Sequence, residues 1–173
     1  AGAVATFLVF QYFSIARTLP DVATLRDKAS QFETTRILDR NGNVLYEITD
    51  PNDGRRTYVP LSKISPYVLA TTIATEDKNY YSHPGFDPLA IGRAFWQNFQ
   101  NEGETVSGAS TITQQLAKNL FYSPQRTMGR KLREVVAALV MECKYRKDEI
   151  LESYLNEIYL GQAGSVSIYG VGE

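Results

Sequence analysis

From Leu61 onward the chain repeats its apolar residues every three to four positions. It nowhere alternates strand-like and helix-like stretches. That periodicity excludes a β-α-β architecture and predicts a mainly α domain. Ser65-Pro66 fits an N-cap followed by Pro at the first helical position, with Val68, Leu69, Thr72, Ile73 and Ala74 as the apolar side. His83-Pro84-Gly85 breaks that helix, and Asp87-Pro88 starts the next through Ile91, Phe95, Trp96 and Phe99. A polar stretch over 100–107 is a candidate mobile loop. A helix then runs from Thr111 to near Ser123-Pro124. Gly129–Tyr145 is a further helix, apolar at Leu132, Val135, Val136, Leu139, Val140 and Cys143. Lys147–Leu160 follows, with Ile150, Leu151, Tyr154, Leu155 and Ile158 facing a core. Gly161–Gly172 reads as loop.

The first sixty residues differ in kind. Ala1–Ala16 carries no charge, and Arg17 closes it. It is shorter than the roughly 20 residues that span a bilayer. A clipped transmembrane helix, a signal-peptide core and a buried helix compete, and the missing small-residue cleavage signature favours the clipped anchor. A polar linker follows to about Phe32. Thr35–Ile48 reads as a β-hairpin around Asp39-Arg40-Asn41-Gly42, and Tyr58-Val59 as one more short strand. The organisation expected is an anchor over 1–18, a linker and hairpin region over 19–60, and a helical domain over 61–173. The chain begins at Ala1 and stops inside a Gly-rich stretch, which reads as part of a longer protein.

Composition narrows the chemistry. A net charge of -1 gives no field that would favour nucleic acid. With 1 Cys there is no internal disulfide, and Cys143, inside an apolar helical run, reads as a buried small hydrophobe. With 1 His, zinc-protease motifs are absent, as are P-loop and dinucleotide-binding glycine patterns. No Ser-x-x-Lys occurs, so the acyl-transfer nucleophile of penicillin-sensitive enzymes is missing.

Small hydroxyl residues in Ser107–Asn119 lead directly into a helix start, where Thr111 and Gln114 have capping-box spacing. Thr111, Gln115 and Lys118 share one helical face near a positive helix end, an arrangement that suits phosphate. A solvated polar face explains the same spacing. Glu76 and Asp77 close a helix whose C-terminus disfavours negative charge. Arg130, Lys131 and Glu134 share another face, which by itself fits a surface ion pair worth a few tenths of a kcal/mol. Together the groups fit one reaction. Glu76 can act as a general base on a sugar hydroxyl, and Lys118, Arg126, Arg130 and Lys131 can hold a pyrophosphate. Pyrophosphate leaves without a strong general acid, whereas glycoside hydrolysis needs one. A lysozyme-like hydrolase with Glu76 as acid and Glu134 as partner competes with this reading, but a neutral glycan needs no cationic cluster. A non-catalytic scaffold is the third reading.

These residues carry a resemblance. The chain, over roughly Thr35 to Glu173, resembles the peptidoglycan glycosyltransferases: the glycosyltransferase domain of class A penicillin-binding proteins and the related monofunctional enzymes. Glu76-Asp77-Lys78-Asn79-Tyr80-Tyr81-Ser82-His83-Pro84-Gly85 is similar to the first family motif, with Tyr80 for the usual Phe. The run from Gly108 to Asn119 is similar to the second, Arg130-Lys131-Leu132-Arg133-Glu134 to the third, and Lys147 to Tyr159 to the fourth. Gly170-Val171 begins the fifth.

The resemblance implies a lysozyme-like, mostly α fold at the outer face of the bacterial plasma membrane, held by a single-pass anchor. It implies lipid II as acceptor and a glycan chain on undecaprenyl pyrophosphate as donor, joined by inverting β-1,4 transfer. Glu76 resembles the general base. Glu134 resembles a second essential carboxylate that positions substrate or leaving group, with a divalent metal (Mg2+ or Mn2+) as an optional companion. Ser110, Thr111, Gln115, Lys118, Arg126, Arg130 and Lys131 resemble groups lining the phosphate and sugar sites, while Asp77 and His83 look like supports of the first motif. The segment from Trp96 to Ser107 corresponds to a mobile piece between the two substrates. Other cell-wall synthesis or division proteins are the partners implied. The Tyr159–Gln162 ending and the hairpin region look more like the bifunctional proteins, in which a transpeptidase domain follows.

Overall fold

In the computed structural model of the chain, residues 2–18, 34–48, 55–100, 110–121, 128–163 and 166–172 are described. Helices dominate. They are α1 (Gly2–Thr18), α2 (Pro66–Glu76), α3 (Pro88–Gln100), α4 (Ile112–Phe121), α5 (Met128–Lys144) and α6 (Lys147–Glu157). Single 3-10 turns occur at Leu61–Lys63 and Tyr80–Ser82. The strands are β1 (Thr35–Leu38), β2 (Val44–Ile48), β3 (Arg55–Arg56), β4 (Tyr159–Ala163) and β5 (Val166–Tyr169). The chain divides into two compact units. One comprises Ala1–Leu19 with Ser65–Ile150, the other Pro20–Ile64 with Leu151–Glu173.

In the first unit α5 is the central element. It packs against α1 and α4. Its buried face runs through Glu134, Ala137, Ala138, Met141 and Tyr145, flanked by Val136 and Val140. The sequence placed the core stripe on Leu132, Val135, Val136, Leu139, Val140 and Cys143; of these Val136 and Val140 are buried, and Val135 and Leu139 are half-buried. Leu132 is exposed, and so is Cys143, which corrects its reading as a buried hydrophobe. The physical reason is close approach. Gly85, at φ +91°, comes so near that an added Cβ would lie 2.9 Å from the Ala138 carbonyl oxygen. Ala137 and Ala138 give α5 the small face that this contact needs, and Leu132 and Cys143 lie outside it.

The segment between α2 and α3 is fastened to the same core. The Tyr80 ring is fully buried, and its hydroxyl donates to the Lys147 carbonyl at 2.7 Å. Lys147 Nζ sits over that ring, bonds Glu142 and donates to the His83 carbonyl, each bond at 2.8 Å. Burial and nearby carboxylates, Glu142 first, push the Tyr80 phenol far above its ordinary range. α2 starts at Ser65 with Pro66 at N1, as the sequence predicts, but none of its residues is buried. α1 has 17 residues, and no helix among the described residues is long and apolar enough to cross a membrane.

In the second unit β1 and β2 pair antiparallel, Thr35 opposite Ile48 and Ile37 opposite Tyr46. The turn spans Asp39 to Asn43. Gly42 takes φ +86°, and the Asp39 carboxylate accepts from the Asn41 and Asn43 amides. The Asn43 side chain, first among these contacts, holds the Asp39 carboxyl below its usual range. A second sheet has the order β3-β5-β4, with β3 parallel to β5. This corrects two expectations. The extra strand is Arg55–Arg56 rather than Tyr58-Val59, and Tyr159–Ala163 and Val166–Tyr169 pair as antiparallel strands rather than forming helix end and loop. α6 stops at Glu157 because β-formers (Ile158, Tyr159) follow and the Gly170 amide closes back on the Ile158 carbonyl. Gly170, at φ +76°, packs where a Cβ would lie 2.8 Å from the Asn156 carbonyl oxygen. Two buried polar groups of α6 organise the rest. Glu152 accepts from the Tyr58 hydroxyl and the Leu61 amide, and Asn156 exchanges bonds with both backbone groups of Val59. The sequence shows the apolar stripe of α6 but not this polar edge.

Candidate active site

Glu76 ends α2 with its side chain exposed, and its Oε2 accepts a hydrogen bond from Gln115 Nε2 at 2.8 Å. It lines an open cleft of about 220 Å³ together with Thr75, Asp77, Lys78, Asn79, Asp87, Ala90, Arg93, Gln97, Ser110 and Thr111. The next residue does something different. Asp77 is buried, and its carboxylate lies 2.9 and 3.0 Å from His83 Nε2 and accepts the Ile112 amide at 3.1 Å. The Gly85 amide donates to His83 Nδ1 at 3.2 Å. With Nδ1 accepting from the Gly85 amide, Nε2 is the nitrogen that donates to Asp77.

The start of α4 has the capping box expected from sequence. The Gln114 amide donates to Thr111 Oγ1 at 3.2 Å, and the Thr111 amide to Gln114 Oε1 at 3.3 Å. The Thr111 hydroxyl itself donates to the Gly85 carbonyl at 2.7 Å. The first-turn donors of α4 thus already hold a protein anion, Asp77, and a protein hydroxyl. The positive helix end that looked suited to phosphate stabilises the buried carboxylate beside Glu76.

A second charged group lies on α5. Glu134 is 2% exposed. Its two oxygens face Arg130 Nε and Lys131 Nζ, each at 3.2 Å. The Arg130 contact is an ion pair without hydrogen-bond alignment. Lys131 Nζ also bonds Ser110 Oγ at 2.6 Å, and Ser110 lines the cleft. A continuous polar path therefore runs from the cleft through Ser110 and Lys131 to Glu134 and Arg130. An isolated buried carboxylate would be strongly disfavoured, and the two cations beside this one offset the cost of its burial. The set does not fit a divalent metal. Both Glu134 oxygens face cations, and no group of three or more His, Cys, Asp or Glu converges among the described residues.

The structure thus brings Glu76, Asp77, His83, Ser110, Thr111 and Gln115 to one place and links Lys131, Glu134 and Arg130 to it. Lys118 is exposed on α4 one turn beyond Gln115. Arg126 and residues 101–109, which include most of the expected mobile segment, lie outside the described residues. Sequence reasoning missed the α3 wall of the cleft. Ala90, Arg93 and Gln97 share a face at i, i+3, i+7, and that spacing was the available signal. It also missed Asp87 as a cap: its Oδ1 accepts the Leu89 and Ala90 amides, and its Oδ2 accepts from Asn79. Those contacts, the Asn79 side chain first, hold the Asp87 carboxyl below its usual range.

A family model described as Transglycosylase matches residues 41–173. The chain is 48% identical to penicillin-binding protein 1B of Vibrio cholerae serotype O1 over 118 residues, 68% of this chain and 15% of that protein. It is 48% identical to penicillin-binding protein 1B of Escherichia coli (strain K12) over 123 residues, 71% and 14% respectively. It is 43% identical to penicillin-binding protein 1A of the same strain over 171 residues, 99% of this chain and 19% of that protein. The chain spans about a fifth or less of the length of these relatives.

Proposed function

The chain belongs to the transglycosylase family, as the glycosyltransferase domain of a class A penicillin-binding protein, and on that premise we propose that it polymerises lipid II into peptidoglycan glycan strands. One observation carries the reading. An exposed carboxylate, Glu76, stands in an open cleft whose wall leads through Ser110 to paired cations. Glu76 takes the proton of the acceptor's 4-hydroxyl. The oxygen forms a bond to the anomeric carbon of the donor, with inversion to a β-1,4 link. The anomeric carbon–oxygen bond breaks, and its electron pair leaves with undecaprenyl pyrophosphate. Lys131 and Arg130, with Lys118 and Arg126, neutralise the leaving charge. Glu134 holds the first two cations in place. In this reading it is a positioning residue, while Asp77, His83 and Thr111 are the frame of the base. No step requires a metal.

The fold is read as lysozyme-like, set at the outer face of the plasma membrane. Incubating the protein with lipid II, and separately with finished peptidoglycan, tests the function. Polymer from lipid II is expected, with Glu76→Gln lowering its rate at least about 100-fold. Fragments released from finished peptidoglycan, with no polymer from lipid II, would overturn the reading in favour of a hydrolase.

A further inference from the structure

Glu76 and Asp77 are consecutive, yet both reach α4, one turn apart. Asp77 accepts the backbone amide of Ile112 at 3.1 Å, and Glu76 accepts the side-chain amide of Gln115 at 2.8 Å. Residues 112 and 115 lie about 4.5 Å apart along the helix axis. Asp77 thus fixes the start of α4 against the end of α2, and that places the Gln115 amide at the base. We propose that Gln115 is a positioning residue for Glu76: its N–H holds one carboxylate oxygen and leaves the other for the acceptor hydroxyl. This rests on the reading of Glu76 as the general base.

The physical need is specific. Glu76 is exposed at a helix C-terminus, where backbone carbonyls repel its charge and exposure leaves its side chain free to take other rotamers. A base that samples many rotamers spends little time within reach of the hydroxyl. A tether removes that disorder before substrate arrives. A neutral amide suits the task, because a cationic donor would orient the carboxylate equally well but weaken it as a base. The resemblance implies only that Gln115 lines the sugar and phosphate site. Contact with substrate and tethering of the base have different kinetic signatures.

The test is steady-state polymerisation of lipid II by the full chain carrying Gln115→Leu or Gln115→Glu, measured from about pH 5 to 9. Loss of the tether in Gln115→Leu lowers kcat about tenfold with KM changed by less than about twofold. In Gln115→Glu two carboxylates face each other at neutral pH. Its deficit relative to wild type shrinks as pH falls, because a proton held between them restores a donor to Glu76. The double variant Glu76→Gln/Gln115→Leu is no slower than Glu76→Gln alone, since a tether without a base has nothing to position. Melting temperatures within about 2 °C of wild type confirm that the half-exposed position tolerates the changes. A raised KM with kcat retained, a deficit independent of pH in Gln115→Glu, or losses that multiply in the double variant would each overturn the inference while an active wild type left the function standing. A wild type that makes no polymer overturns both.

Discussion

Replacing Asp77 by alanine separates the frame of this site from its chemistry. The carboxylate is buried and accepts from His83 Nε2 and the Ile112 amide. Both donors lose their partner in Asp77→Ala. His83 is itself only 8% exposed, so water does not readily replace the carboxylate. A buried donor left unsatisfied costs about 1–3 kcal/mol, so two cost about 2–6 kcal/mol. At about 2–4 °C per kcal/mol for a chain of this size, the melting temperature falls by about 10 °C. Asp77→Asn keeps one acceptor oxygen and loses about half as much. The neighbouring Glu76→Gln is the control. Glu76 is exposed and its amide analogue still accepts from Gln115, so stability stays within about 2 °C while polymerisation collapses. Thermal or urea unfolding of the three variants, beside lipid II turnover, makes the comparison. An Asp77→Ala melting temperature within about 2 °C of wild type would refute the assignment of Asp77 as the buried clasp. Equal destabilisation by Glu76→Gln would refute the division of labour between the two residues.

Gly85→Ala places a Cβ 2.9 Å from both the Ala138 carbonyl oxygen and Glu142 Cγ, at a φ of +91° that L residues rarely adopt. The backbone strain alone is about 1–2 kcal/mol, and the overlap adds to it, so urea unfolding shows a loss of about 2–4 kcal/mol. Asp87→Ala removes the cap of α3, for about 1 kcal/mol by the same assay. Because the folded state lowers the Asp87 carboxyl, its contribution is complete above its unfolded value near 3.9 and fades as pH falls through the folded value. The stability gap between wild type and variant therefore closes only below about pH 4, as melting temperature against pH will show. Glu134→Gln removes the carboxylate that pairs with Arg130 and Lys131 and lowers kcat about 10- to 1000-fold with Glu76 intact; unchanged turnover would remove Glu134 from the site.

Much of the helical unit is legible in the sequence because its signals are local. A Ser-Pro start, a His-Pro-Gly break and a Thr111/Gln114 capping box each lie within a few residues, and each appears where the spacing puts it. The hairpin around Gly42 is legible for the same reason. Which side of α5 faces inward is not local. It involves Gly85, more than fifty residues away, whose close approach needs the alanine face, with Leu132 and Cys143 outside it. The pairing of Arg55–Arg56 with Ile168 and Tyr169 crosses over a hundred residues, and no period in either segment announces it.

The sequence by itself determined the inventory of the site: a carboxylate pair ahead of a helix break, a capped helix start, and a cation–carboxylate face. Each residue type follows from chemistry that spacing can express. Only the tertiary structure decided what each one does. At the start of α4, which a sequence reader offers to phosphate, the Ile112 amide is taken by Asp77 and the Gln114 amide by Thr111, while Gln115, one turn on, reaches Glu76. Helix geometry gives the directions in which those groups project. Which of them meets a partner within the protein, and which is left for substrate, depends on how α2 and α4 are clasped, and that is a property of packing rather than of any one segment.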